Sequence, residues 1–429
     1  MKRALVAFAA LAGTLVVAPA APAHAAGGSF SVLTYNVAGL PEIISSAETD
    51  RKTAHTAIGQ RLGPFDVVHV QEDFNYHAYL YAADTTHAHR TPTSGGAGIG
   101  SGLNTVSRLP YDTDDFERGD WDSCQFDSGD CLTPKGFTFA RHRVADGVYV
   151  DFYNLHTNAG TSTGDQESRA DNLSQLSEFI ATHSAGNAVI VMGDTNTRYT
   201  RAADTIRQFV ADNGLTDAWV KLERGGTPPA AGADALLCDP AALTDACEVV
   251  DKILYRSSRA VTLNATGYAN EEASFTKLSD HYPISASFTW TATPDITFSE
   301  QFGGPHGSHY NDISDISSRP ASVGLRAGSR VDQVSLGELA HGGTGGTAKS
   351  LTLGSSEYVT SAQLCRGSHN GHTRIFYVKF VTSLGNSIAG GTTTPDCVTR
   401  TAPSGFQIAG FHGRSGSAVD KLGFIYTRR

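Results

Sequence analysis

The chain has 429 residues, long for one typical domain, and its 40% hydrophobic content is enough for more than one packed core. Acidic residues outnumber basic ones by 43 to 33, for a net charge of −10. That balance excludes a broad basic surface holding polyanions non-specifically, although it leaves room for a narrow basic or metal-bearing cleft.

Lys2 and Arg3, the apolar run Ala4 to Val17 and the small-x-small triplet Ala23-His24-Ala25 read as a secretory leader over residues 1–25, and hence as an exported, extracellular protein. The run is too short and too rich in Ala and Gly for a good membrane span. In an exported chain an even number of cysteines favours disulfides over metal thiolates. Spacing pairs Cys124 with Cys131, Cys238 with Cys247 and Cys365 with Cys397, one of 15 connectivities that six cysteines allow.

Phe30 to Val37 alternates as a strand and ends on Asn36 before the Gly39-Leu40-Pro41 turn. Arg51 to Leu62 reads as a helix stopped by Gly63-Pro64. Phe65 to Glu72 is a second apolar strand that runs directly into Gln71-Glu72, an unusual ending unless the acid has a task. Lys135 to Ala140 and Val148 to His156 form a strand pair, the second leading into His156-Thr157-Asn158. Glu167 to His183 carries Leu173, Leu176, Phe179 and Ile180 at helical spacing and feeds the buried strand Val189 to Met192. Asp194 and Asn196 follow that strand. Glu248 to Tyr255 places Asp251 among apolar neighbours, where it needs a partner, histidine being a natural one. Ser279-Asp280-His281 precedes the last strand of this block. Alternating strands and helices imply a layered α/β core. Residues 291–297 form a linker, and the Gly/Ser/Thr-rich remainder, 298–429, has the short alternating runs of an all-β domain.

Polar residues thus gather at strand ends: Asn36, Glu72, His156, Asn158, Asp194, Asn196, Asp251, Asp280 and His281. Oxygen donors without cysteine fit a hard divalent cation, Mg2+ before Zn2+. A histidine flanked by acids fits a general base with an orienting carboxylate. Neither a Gly-x-Ser-x-Gly elbow nor a phosphate loop of the Walker type occurs. Cation, base and amide together suit attack of water on a phosphodiester.

The set Thr34-Tyr-Asn-Val37, Val70-Gln-Glu72, Asn154-Leu-His156, Gly193-Asp-Thr-Asn196, Val250-Asp-Lys-Ile253 and Ser279-Asp-His281 resembles, in order, the endonuclease/exonuclease/phosphatase superfamily. The resemblance implies a catalytic domain over 26–290, built as an α/β two-sheet sandwich flanked by helices, as in deoxyribonucleases. It implies Mg2+ at Glu72, with Asn36 and Asp280 nearby, and Asp194 and Asn196 on phosphate and water. It further implies His281 as general base paired with Asp251, and His156 on the phosphate or leaving group. Asp130-Cys-Leu-Thr-Pro-Lys-Gly-Phe137 is similar to a stretch of bacterial sphingomyelinases C and related phospholipases, which implies a phospholipid or membrane-surface substrate.

Phe302-Gly-Gly-Pro305, Val323 to Val334, His341 to Gly346 and Ile408 to Gly423 resemble a jacalin-related lectin. This implies a β-prism and a sugar site made by Gly303 and Gly304 with Gly416, Ser417, Ala418 and Asp420. Ser417 and Ala418 stand where that family usually carries an aromatic. The alternatives left open are an extracellular nuclease acting on nucleic acid with the same residues, and a non-catalytic lectin.

Overall fold

The computed structural model describes residues 26–126, 129–240, 242–317 and 319–429; the leader expected at 1–25 lies outside the described residues. Two six-stranded sheets form the first domain. One runs Val261–Asn270, Ile284–Ala292, Gly27–Asn36, Val67–Gln71, Asn104–Ser107, His89–Arg90. The other runs Glu117–Asp120, Gly136–Ala145, Val148–His156, Ala188–Asp194, Asp251–Arg256, Thr216–Asp217.

The strands lack a polar face because both faces are covered. Ile190 and Met192 point into the core between the sheets with Phe30, Val32 and Phe152. Their neighbours Val189 and Val191 pack outward with Leu173, Leu176 and Ile180 of the Thr163–His183 helix. On the opposite outer face, Leu33, Tyr35, Val68 and Val70 meet Ala54 and Ile58 of the Arg51–Gly59 helix. Period-two alternation between two apolar layers reads in sequence as an unbroken apolar run. The long helix begins four residues earlier than its apolar spacing predicts. Ser162 and Asp165 close a reciprocal capping box, which satisfies its first amide groups. Asp251 is the first residue of its strand, not a mid-strand residue as expected.

The C-terminal domain is a three-sheet prism. Its sheets centre on the Phe406–Ser415/Val419–Arg428, Ser322–Ala327/Val331–Leu336 and Val359–His369/His372–Thr382 hairpins. Their inner faces share one core, including Val334, Val378, Phe380, Phe411 and Phe424. The last strand of the first domain runs to Ala292, and the first prism strand, Ile296–Phe298, pairs with Val419–Arg428. Ile313 and Ile425 of the prism enter the core of the first domain. Lys421, almost fully buried, meets Asp115 at 3.0 Å, and Arg414 meets Glu117 at 2.9 Å. The disulfides are Cys124–Cys131, Cys238–Cys247 and Cys365–Cys397, the pairing expected from spacing.

Candidate active site

Strand register builds the site. Val148–His156 pairs in parallel with Ala188–Asp194, which sets His156 beside Asp194; Asp251–Arg256 pairs antiparallel on the other side, which sets Asp251 beside Asp194. Three chemistry-bearing residues therefore form one row across three adjacent strands of the second sheet. The first sheet contributes Asn36 and Glu72 from the ends of neighbouring parallel strands. The sheets are tied just beneath the site: Gln71 Nε2 donates to Asn154 Oδ1 at 2.7 Å, and Asn154 Nδ2 donates to the Val70 carbonyl at 3.0 Å.

Asn36 Nδ2 bridges the two sheets by donating to Glu72 Oε1 at 3.0 Å and Asp194 Oδ2 at 3.1 Å. Its Oδ1 accepts the Ala38 N–H at 3.0 Å, which fixes the amide orientation. Asn36 was expected as a metal ligand; here it holds two carboxylates in place through its nitrogen. Asp194 Oδ2 lies 3.3 Å from His156 Nε2 and 3.6 Å from His281 Nε2, and Asp194 Oδ1 accepts the Asn196 N–H at 3.0 Å. His281 Nδ1 contacts Asp251 Oδ2 at 3.0 Å. Asn196 Nδ2 donates to the Thr157 carbonyl at 3.2 Å.

The electrostatics follow from burial and neighbours. Burial works against a charged Asp194, but His281, His156, Lys135 and the Asn36 amide override it and bring its carboxyl down to about 2. Burial and nearby Lys135 push His156 down to about 3. Burial disfavours imidazolium at His281, yet Asp251 and Asp194 dominate and raise it well above the ordinary histidine value. Burial raises Glu72. Its backbone is left-handed (φ 56°), as are Ala38 (47°) and Asn196 (48°). Three such residues at one site store backbone strain that the surrounding strands hold in place. Gly39 is needed beside them, because a Cβ there would lie 2.3 Å from the Glu72 carbonyl oxygen.

Two expected positions lie at the margin of the cluster. Asp280 is exposed on the rim, its carboxylate engaged by the Ser46 and Ser279 hydroxyls. Asn158 faces the Cys124–Cys131 loop, accepting the Gln125 N–H at 2.8 Å and donating to Asp165 at 3.1 Å. Lys135 was not anticipated as a site residue. It pairs with Asp130 and donates to the Thr157 carbonyl at 3.4 Å, and its charge acts on Glu72, Asp194 and His156. The Asp130-to-Gly136 stretch carried that signal, but a lysine among acids looks like a surface ion pair until the fold buries it.

In the prism, Gly303 (φ 142°) and Gly304 pack on Asp420, whose carbonyl accepts the Gly304 N–H at 2.9 Å. The Gly416 N–H donates to the Ala418 carbonyl at 3.0 Å, and Ser417 is exposed. The expected sugar acceptor is not open to solvent, however. Asp420 is 1% exposed, and its Oδ1 accepts Arg374 Nη1 at 2.6 Å. Ala418 is buried, so that loop offers no stacking surface.

A helix-flanked two-sheet sandwich with an acid–histidine cluster at its strand ends, joined to a β-prism, defines a two-module class. Residues 37–228 match the Endonuclease/Exonuclease/phosphatase family 2 model, and residues 299–425 match the Jacalin-like lectin domain model. The chain thus carries an endonuclease/exonuclease/phosphatase family domain followed by a jacalin-like lectin domain. Curated proteins named sphingomyelinase from Mycobacterium tuberculosis and Mycobacterium bovis are 40% identical over 282 residues, 63% of this chain and 55% of theirs. The chain thus spans about half the length of those relatives. Horcolin of Hordeum vulgare is 28% identical over 138 residues, 29% of this chain and 94% of horcolin. Among solved structures, SmcL aligns with 18% identity over 61% of this chain and 99% of its own, at a TM-score of 0.44. A Staphylococcus aureus beta toxin mutant with bound magnesium ions aligns with 18% identity over 60% of this chain and 99% of its own, at 0.43.

Proposed function

We propose that the protein is a secreted, Mg2+-dependent phosphodiesterase that releases a phospholipid head group, in the manner of sphingomyelinase C. Residues 26–290 form the catalytic unit, 298–429 a carbohydrate-binding prism, and 1–25 the export leader. The observation that carries this reading is the His156–Asp194–Asp251 row with His281 and Glu72 converging on it.

The donor set suits a hard cation: Glu72 is a half-buried carboxylate whose ionisation burial opposes, and Asp194 lies close by through the shared Asn36 amide. Glu72 would hold the ion, with Asp280 within reach on the rim. When bound, it would neutralise charge building on the phosphate and, by its own charge, draw His281 back towards the neutral form. His281 Nδ1–H donates to Asp251, leaving Nε2 to take a proton from water. The water oxygen forms a bond to phosphorus as the phosphorus–oxygen bond to the lipid breaks, and the departing oxygen takes up a proton from solvent to leave as the alcohol. Asp251 stabilises the imidazolium so formed. His156, Asn196 and Lys135 supply the donors and positive charge that face the phosphate oxygens.

The rim favours a lipid over nucleic acid. Ile43 (93% exposed), Ile44, Ile99 (80%), Phe126 (77%) and Leu132 are large apolar side chains left in solvent on loops that open around the strand ends. Those loops are joined to the site: the Ala97 N–H donates to Asn75 Oδ1 at 3.2 Å, just after Glu72, and Ser46 bonds Asp280. Apolar loops around a cleft on an acidic protein fit a zwitterionic bilayer better than a polyanion. The 40% identity to curated sphingomyelinases supports the same head group.

The test is a panel of sphingomyelin, phosphatidylcholine and plasmid DNA, each with Mg2+ or EDTA. Phosphocholine release that EDTA abolishes is expected; DNA nicking alone would overturn the lipid reading. In a second experiment, the Ile43→Asp/Ile44→Asp variant is expected to hydrolyse vesicles about tenfold more slowly or worse. It should retain its rate on a water-soluble phosphocholine ester, because each isoleucine contributes roughly 1.5–3 kcal/mol on burial. For the prism, Arg374 occupies Oδ1 of the buried Asp420 carboxylate and competes there with a sugar hydroxyl. Arg374→Ala is therefore expected to strengthen glycan-array binding, and Asp420→Asn to abolish it.

A further inference from the structure

The junction between the two domains holds a second cluster that the reaction does not use. Glu117 lies on the Glu117–Asp120 strand, His183 ends the Thr163–His183 helix, and His309 comes from the prism strand Ser308–Asn311. His309 Nε2 is 3.1 Å from Glu117 Oε1, His183 Nε2 is 3.4 Å from Glu117 Oε2, and all three ligand atoms lie within 4.8 Å of one another. We propose that Glu117, His183 and His309 form a transition-metal site, suited to Zn2+, that clamps the prism to the catalytic domain.

Proton bookkeeping is the first argument. His183 Nδ1 sits 3.0 Å from the Phe179 carbonyl and 2.8 Å from the Thr182 hydroxyl, and the tautomer with its hydrogen on Nδ1 serves both as donor. A neutral His183 then aims the Nε2 lone pair at a carboxylate oxygen 3.4 Å away, two acceptors face to face. A cation between them resolves the contact, either a second proton or a metal ion.

Geometry is the second argument. Tetrahedral zinc with arms of about 2.0–2.1 Å needs ligand atoms about 3.3–3.4 Å apart; His309 lies 3.1 Å from Oε1 and His183 3.4 Å from Oε2 of the same carboxylate, so small shifts of the Glu117 side chain bring one oxygen to both imidazoles. The rings are already held: His183 stacks on Phe179 at 3.5 Å, and His309 sits edge-on to Phe139 at 5.7 Å. Two imidazoles and one carboxylate suit zinc, unlike the oxygen-rich cleft. Glu117 remains 28% exposed, which leaves a fourth position for water.

Charge is the third argument. At the junction, Asp112, Asp115 and Glu117 face Arg414 and Lys421, which leaves one negative charge uncompensated. Arg414 also bonds Glu117 Oε1 at 2.9 Å, but a carboxylate has about four lone-pair sites and can serve both. Because the ligands come from both domains, the ion binds only the docked arrangement and stabilises it by mass action.

The test uses the full chain, stripped with EDTA and then held in saturating Mg2+ to fill the cleft, titrated with ZnCl2. The expected result is one tight zinc equivalent, with a Tm rise of roughly 3 °C at a hundredfold excess over Kd. His183→Gln and His309→Gln should each lose that equivalent and its Tm rise while keeping the wild-type circular dichroism. Crystals of the unmutated protein measured at the zinc edge should show an anomalous peak among the three side chains, a readout that does not depend on the variants folding. A zinc equivalent that survives in both variants, or an anomalous peak only near Glu72, would overturn the proposal.

Discussion

Replacing His281 with alanine is expected to lower kcat/KM for phosphodiester hydrolysis about a thousandfold, within the range of general-base contributions. The residue is held for that role on both sides. Its Nδ1 is committed to Asp251 at 3.0 Å, and its Nε2 faces the space beside Asp194 at 3.6 Å. A loss of this size is about 4 kcal/mol of transition-state stabilisation. KM should change little, since the imidazole acts on water and not on the lipid body. Asp251→Asn should lower kcat less, because it leaves a base in place but weakens stabilisation of the imidazolium. Steady-state kinetics on micellar sphingomyelin read both. An alanine variant with wild-type kcat would remove His281 from the reaction.

Glu72→Gln is expected to cost at least a hundredfold in activity at saturating Mg2+ and to leave the fold as stable as before or more so. The two halves have a common cause. Burial already opposes the charged carboxylate, and without a cation the Asn36 amide at 3.0 Å and the fields of Lys135 and His281 are what favour it. The neutral isostere relieves that penalty but gives up the charge that would hold the ion, a trade of stability against function. Activity measured against Mg2+ concentration, beside thermal unfolding of the metal-free protein, separates them. A glutamine variant that is active at the wild-type Mg2+ midpoint would contradict this role.

Much of the site was legible because it lies where strands end. A buried strand that stops on Glu72 or Asp194 announces a polar residue at the edge of the core, and the motif order tied those ends together. Convergence was not legible from spacing alone. It depends on register: a slip of one residue between the Ala188–Asp194 and Asp251–Arg256 strands would turn Asp251 away from Asp194. Cys124–Cys131 and Cys238–Cys247 were readable because short loops bring their ends together, which left Cys365 and Cys397, 32 residues apart, as the third pair. Lys135 escaped notice because its burial depends on how the loop after Cys131 folds back over Thr157. The ion pair that covers Asp420 is hidden for a similar reason. Its sequence context marks a sugar loop, but its partner Arg374 comes from a different hairpin, and no local pattern reveals a contact across sheets.

Isotope labelling tests the central claim most directly: hydrolysis of sphingomyelin in 18O-enriched water with Mg2+, followed by mass analysis of both products. Attack of His281-activated water at phosphorus is expected to place one heavy oxygen in phosphocholine and none in the lipid alcohol, with no turnover in EDTA. Label in the lipid alcohol, or unchanged turnover after the cation is removed, would contradict the account.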